Sequence, residues 1–337
     1  MKCRLLLGIF TLLMVGCTNL KSKDTVLSIK KVSFSHSILQ GLAPENGVCR
    51  RDPSDIIKVG ESYYLWYTKT EKQYSGYDAS IWYAVSTDGA HWQEKGEALS
   101  RGKTGRWDEY SVFTPNILRA SGKYYLYYTA VKPTPGNPER KFENNAETDI
   151  TAIGLAVSDS PEGPFVRVSS KPVLEVSENS DSFDSYRVDD ACLIFKNHQY
   201  YLYYKGRSRK FGKEGPRYTK LGVAIADKPE GPYVKYKNNP IISSGHEVMV
   251  WPYRKGIMAL LSDHGLEGKT LQHASDGIHF RKVASFGDDY PKAPGSFRIG
   301  NFEDASQQNT GISWGISMFY GSKGKWPHLL KYEINIE

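Results

Sequence analysis

A two-strand unit recurs along the chain, and recurrence of this kind restricts the fold more than any single motif. The unit is an apolar strand, a short turn and an aromatic strand. It appears as DIIKVGESYYLWYTK (55–69), NILRASGKYYLYYTA (116–130) and CLIFKNHQYYLYYKG (192–206), with a degenerate copy VMVWPYRKGIMALLSD (248–263). A second half recurs in the same order: IWYAVSTDGAHW (81–92), IGLAVSDSPEGPF (153–165), LGVAIADKPEGPY (221–233) and LQHASDGIHF (271–280). Here an alternating strand meets a polar, Gly-containing turn, and the next aromatic starts a further strand. Each copy therefore supplies about four short strands.

Four such copies and a divergent C-terminal part, TGISWGISMFYG with HLLKYEINI, predict an all-β, five-bladed β-propeller. A β-sandwich with chance similarity between hairpins is the alternative, and recurrence of both halves in one order argues against it. No long segment holds a 3.6-residue apolar period. The 23 Tyr, with 31 Gly and 17 Pro, also favour strands and turns.

The first residues read as an export signal. MKCRLLLGIFTLLMVGC joins two basic residues to an apolar run too short to span a bilayer. Its end, LMVGC, resembles a lipobox, which implies an acylated Cys17; an ordinary secretory signal is the alternative. The expected division is a signal over 1–16, a tether or extension over 17–45, and one propeller domain over 46–337. The expected location is the periplasm or the outer membrane of a bacterium, with the membrane reached by the lipid anchor only. Losing Lys2 and Arg4 with the signal takes the net charge from +7 to +5. The remaining basic residues are scattered, so no nucleic-acid footprint is indicated. Outside Cys3 and Cys17 there remain Cys49 and Cys192, as a disulfide or as buried thiols. No Cys or His cluster suggests a structural metal.

The innermost strand of each propeller blade lines the axis, and its start opens on one face. RDPSDIIKV, WDEYSVFTPNIL, DSYRVDDACLIF and SSGHEVMVWPY occupy the four starts. Asp52 and Asp55, Asp189 and Asp190, and Glu247 beside His246 are thus expected to converge. Taken singly, each acid reads as a turn or cap residue; three at equivalent positions read as a constellation. Asp55 and Asp190, one step further into their strands, read as the structural members of their pairs. Convergent carboxylates suit glycoside hydrolysis, where one protonates the leaving oxygen and another activates water or attacks the sugar. A third tunes the acid. The expected substrate-binding residues are Arg51, Asp55, Trp66, Trp107, Thr114, Arg187, Lys205 and Trp251, with Tyr186 beside them. The aromatics read equally as inter-blade core.

The motifs GVCRRDPSDIIKVGESYYLWYTK, YDASIWYAVSTDG, SVFTPNIL, DSYRVDDACLIFKNHQYYLYYKG, KLGVAIADKPEGPY and SGHEVMVWPY resemble glycoside hydrolase family 117 over about residues 45–285. The acids at the first, third and fourth blades also resemble the related five-bladed family 43. The resemblance implies an exo-acting hydrolase that inverts the α-1,3 bond of neoagarooligosaccharides and releases 3,6-anhydro-L-galactose. It places the general base on Asp52, the pKa modulator on Asp189, and the proton donor on Glu247 or His246. A homodimer is left open, because the extension is short for the family. No cofactor is demanded, and a divalent cation in the axial channel stays open. The alternatives are a family 43-like α-L-arabinofuranosidase or β-xylosidase, and a non-catalytic carbohydrate-binding propeller lipoprotein.

Overall fold

The computed structural model describes residues 27–71, 78–131, 150–263, 265–298, 303, 311–320 and 326–337. The export signal and Cys17 lie outside them. The chain forms β1 (Val32–Ile38), β2 (Cys49–Arg51), β3 (Ile56–Val59), β4 (Ser62–Thr70), β5 (Ser80–Ser86), β6 (Gln93–Leu99) and β7 (Val112–Ala120). It continues with β8 (Lys123–Val131), β9 (Thr151–Ser158), β10 (Val166–Arg167), β11 (Arg187–Lys196), β12 (Gln199–Arg207), β13 (Lys220–Ala226) and β14 (Val234–Lys235). The last strands are β15 (Val248–Tyr253), β16 (Gly256–Leu261), β17 (Thr270–Ala274), β18 (Arg281–Ser285), β19 (Lys292–Arg298), β20 (Trp314–Phe319) and β21 (His328–Ile336).

Strands β7 to β10, β11 to β14 and β15 to β18 form three separate four-stranded sheets. A larger sheet joins the run β3 to β6 to the run β1, β21, β20, β19 through a short parallel pairing of Phe297 with Ile56. Each repeat folds into its meander because its turn is two residues long. Asn197–His198 and Arg254–Lys255 both carry positive φ at each residue, as does Ser121–Gly122. That geometry matches the twist of paired strands. Neighbouring first strands touch in succession: β7 on β11, β11 on β15, β15 on β19, and β19 on β3, while β7 packs on β4. The sheets therefore close a ring with these strands innermost.

The aromatic strand is the glue between neighbours. Trp66 meets Phe165 edge to face at 6.1 Å, Tyr127 meets Tyr233 at 6.2 Å, and Tyr203 meets Phe280 at 6.1 Å. In each pair, one sheet's second strand docks on the turn that ends the next sheet's third strand. The adjoining tyrosines act within their own sheet. Tyr128 donates to Asp108 (3.0 Å) and stacks on Trp107; Tyr204 donates to Asp184 (2.9 Å) and packs on Phe183.

Strand β1 falls inside the stretch expected to be a tether. It pairs antiparallel with β21 from Val32↔Ile336 to Ile38↔Leu330, so N-terminal residues complete the sheet formed by the chain's end. Its half-exposed VSFSHSI, on a sheet edge, carries too weak an alternation to stand out.

The ring is tied at its axis by Asp55, which is fully buried. Ser296 donates to it through its N–H (2.9 Å) and its hydroxyl (2.8 Å), Asn116 through Nδ2 (3.3 Å) and Arg298 through Nη1 (3.1 Å). Arg298 also donates to the Leu193 carbonyl (2.6 Å), whose own N–H donates to Asn116 (3.2 Å). One carboxylate thus joins β3, β7, β11 and β19. Removing it leaves a buried guanidinium without its counter-charge. Asp55→Ala is expected to lose about 3–5 kcal/mol of unfolding free energy in denaturant titration; a loss below about 1 kcal/mol would contradict this role.

Candidate active site

Four of the five strand starts carry a residue with left-handed backbone: Asp52 (φ 47°), Thr114 (44°), Asp190 (53°) and Ala293 (41°). In three of them the pairing register slips, between Phe113 and Asn116, between Asp189 and Cys192, and between Lys292 and Gly295. These are bulges, which re-aim a side chain and leave a backbone group unpaired. Pro53, Pro115 and Pro294 follow three of the four residues. A proline has no N–H to leave unsatisfied there. Gly295 comes next in the last copy because a Cβ would lie 1.8 Å from the Ser54 carbonyl oxygen.

The bulges create two layers. Asp52, Thr114, Asp190 and Ala293 line a pocket, together with Glu247. Further along the same strands Asp55, Asn116 and Cys192 also line it, with Ser296 and Asn116 bonded to Asp55. Asp55 lines the pocket while its carboxylate is engaged by Ser296, Asn116 and Arg298.

The third-sheet acid is a correction. Asp190, not Asp189, matches Asp52 in backbone and lines the pocket. Asp189 precedes the bulge and turns into the sheet. It lies 3.7 Å from both Arg187 and Lys205, its register partner. Lys205 is buried and forms an ion pair with Asp190. Burial pushes the Asp190 carboxyl up, with Asp189 and Asp52 adding to it, against the pull of Lys205. The same lysine is raised by its two aspartates and Glu247, which outweigh its burial.

Glu247 enters from the turn before β15. Its Oε2 accepts the Ala293 N–H at 2.6 Å, and its Oε1 lies 3.8 Å from His246 Nε2. Burial, then the charges of Asp190 and Asp52, push its carboxyl up to about 7, against Lys205 and the Ala293 N–H. His246 adjoins Glu247 and is not among the residues lining the pocket. Arg51 binds Asp52 and lies over the Phe113 ring at 5.6 Å. Arg187 is likewise turned away, buried beside Asp189.

The expected sugar-stacking aromatics are elsewhere. Trp66 and Trp251 are fully buried in separate core clusters, and Trp107 is stacked against Tyr128 at 6.0 Å. Tyr186 is buried too. Position at a strand start misleads here, because alternation sends every second side chain between the sheets. The residues not anticipated are Ala293, Ser296 and Arg298. Their signal is KAPGSFR (292–298), which repeats the RDPSDII spacing at the last strand start. Cys49 and Cys192 are free thiols, and burial pushes Cys192 up to about 12. Among the described residues, no three His, Cys, Asp or Glu side chains are grouped as for a metal.

Because the folded-state pKa of Glu247 is raised, its stabilising contribution is complete below about pH 4.5 and is lost as pH rises through about 7. Glu247→Gln is therefore expected to melt above the parent protein at pH 8, with the gap closing by pH 5. An unchanged gap across that range in thermal melts would contradict the raised carboxyl.

Residues 46–191 match the model of the glycosyl hydrolases family 43. An extracellular endo-α-(1→5)-L-arabinanase of Thermotoga petrophila is 34% identical over 151 residues, 40% of this chain and 28% of that protein. Xylosidase/arabinosidase 43A of Humicola insolens is 31% identical over 100 residues, 30% of this chain and 23% of that protein. The matches thus span about a quarter of these relatives' length. The solved structure of Zg3597, a family 117 glycoside hydrolase of Zobellia galactanivorans, superposes with a TM-score of 0.77 at 29% identity, covering 90% of each chain. An endo-arabinase of Bacteroides thetaiotaomicron shares the fold, with a TM-score of 0.54 at 15% identity over 88% of this chain and 96% of that one. The carboxylate pocket thus sits in a chain similar to a family 117 glycoside hydrolase over nearly its whole length, with residues 46–191 similar to family 43.

Proposed function

We propose that the chain is a five-bladed propeller that removes a terminal sugar from an oligosaccharide with inversion. The blade count follows from dividing the large sheet at its short parallel pairing. Exo action follows the family 117 expectation, supported by the likeness to Zg3597. The observation that carries the reading is Glu247, buried, raised to about 7 and in one pocket with Asp52.

In this reading Glu247 donates its proton to the glycosidic oxygen as the bond to the anomeric carbon breaks. Asp52 takes a proton from a water that attacks the opposite face, so the released sugar has the inverted configuration. Asp190 takes the modulating role expected of Asp189, since it lines the pocket and its charge raises Glu247. Oε2 is held by the Ala293 N–H, which leaves Oε1 to carry the mobile proton. Glu247 is favoured over His246 as donor because it lines the pocket and stays half protonated near neutrality.

For substrate we keep the family 117 expectation: the α-1,3 bond of neoagarooligosaccharides, with release of 3,6-anhydro-L-galactose. It is supported by the likeness to Zg3597 along 90% of both chains. The likeness to an arabinanase supports an α-L-arabinofuranosidase as the second reading. Export as a lipoprotein anchored at Cys17 and action without a cofactor belong to the same proposal.

Incubation with neoagarobiose and with aryl arabinofuranosides and xylosides separates the substrates. Release from the aryl pentosides alone would sink the agar reading. Asp52→Asn is expected to lose about 10²–10⁴-fold in kcat with KM changed only a few-fold. An unaffected variant would leave a binding protein instead. Above pH 7 the donor form of Glu247 falls tenfold per unit, so kcat/KM should fall with it.

A further inference from the structure

None of the residues lining the pocket is aromatic, and the tryptophans expected to stack on sugar are core. Exposed aromatic surface exists nearby, on the excursion Arg209–Tyr218 between β12 and β13. This segment is a kinked 3₁₀ turn capped by Ser208, whose hydroxyl accepts the Lys210 N–H (3.3 Å). Phe211 and Tyr218 stack within it, with ring centroids 4.1 Å apart and planes 15° from parallel. Tyr218 remains 48% exposed although Phe211 covers one of its faces. An aromatic ring with one face packed and half its surface in water is preorganised to take a second flat apolar surface.

The register places this pair on the pocket side. Arg207, the last residue of β12, lies opposite Arg187, the first of β11, and Asp190 follows three residues later. Beyond Arg207, Arg209 donates from its N–H to the Ser185 hydroxyl (3.1 Å) and from Nε to the Ser185 carbonyl (3.2 Å). The segment is thereby fixed to the chain that leads into the pocket. At its far end Lys220 pairs with Gly206, so Tyr218 stands two residues above the pocket end of β13. Strand β13 is two strands out from β11, roughly 10 Å. That offset lies beyond a single sugar ring seated in the pocket and within the length of a short oligosaccharide.

We propose that the Phe211–Tyr218 pair is a saccharide platform on the leaving-group side of the pocket. The open face of Tyr218 takes the apolar face of a sugar ring of the departing chain. The proposal rests on the glycosidase reading of the pocket for its ligand class. It makes affinity depend on chain length through a residue remote from the carboxylates. Tyr218→Ala removes the ring without touching the core, and Tyr218→Phe keeps it.

Calorimetry in an Asp52→Asn background tests this with two probe series, neoagarobiose against neoagarohexaose and α-1,5-arabinobiose against α-1,5-arabinohexaose. In the series that binds, Tyr218→Ala should weaken the hexasaccharide roughly threefold to tenfold. It should leave the disaccharide unchanged, and Tyr218→Phe should restore the hexasaccharide. Equal losses for both lengths, or no loss, would overturn the platform. Binding of neither series by Asp52→Asn alone would overturn it too. Turnover of aryl glycosides by the parent protein decides the catalytic reading separately.

Discussion

The buried ion pair of Asp55 and Arg298 is the constraint from which the rest of the structure follows. A carboxylate in the middle of a protein is tolerated only when its oxygens are fully bonded. Asp55 meets that demand through Ser296 and Arg298 of β19, at the far side of the parallel pairing in its own sheet, and through Asn116 of a second sheet, with Leu193 of a third linked through Arg298 and Asn116. None of these groups is satisfied unless the ring is closed. The hydrophobic seams between sheets are interchangeable by comparison, with one edge-to-face aromatic pair per seam in three of them. The seams supply the burial, and the axial network selects the arrangement.

The same network borders the pocket, because Asp55 and Asn116 line it together with Asp52, Thr114, Asp190 and Glu247. Beside that pocket Asp189, Asp190 and Glu247 share one buried cation, Lys205, while Asp52 is paired with Arg51. Asp190 has a direct ion pair with Lys205, whereas Glu247 has a backbone N–H and a histidine nearby and feels the charge of Lys205 without an ion pair. Glu247 is accordingly the carboxyl most suited to stay protonated near neutrality. In the proposed mechanism two carboxyl groups take opposite tasks from their neighbours, as acid–base catalysis requires.

Much of this was legible in the amino-acid sequence, and the failures have physical reasons. The repeated aromatic strands announced the all-β meanders, and the acids at strand starts announced a shared pocket. Asp55 was set apart as structural, and its carboxylate is engaged by the axial hydrogen bonds. Asp190 was set apart on the same grounds, yet it is the aspartate that lines the pocket, beside a bulge between Asp189 and Cys192. Bulges leave no mark on apolar periodicity; at three of the four left-handed residues, though not at Asp190, a following proline (53, 115 and 294) is the mark. That mark also identifies KAPGSFR as the last strand start, which has no acid to draw attention. Trp66, Trp107 and Trp251 were misplaced because a large aromatic near a pocket and one between sheets have the same spacing. Strand β1 was missed because its partner, β21, lies at the other end of the chain.

The central claim is that Glu247 holds a proton near neutrality in the pocket that contains Asp52. Its most direct test is a ¹³C NMR titration of protein labelled at the Glu side-chain carboxyl carbon, with the Glu247 signal assigned by its absence in Glu247→Gln. A midpoint near pH 7, moving downward in Asp52→Asn as a neighbouring negative charge is removed, is the expected result. A midpoint near the ordinary glutamate value of about 4.3, unmoved by that substitution, would contradict it.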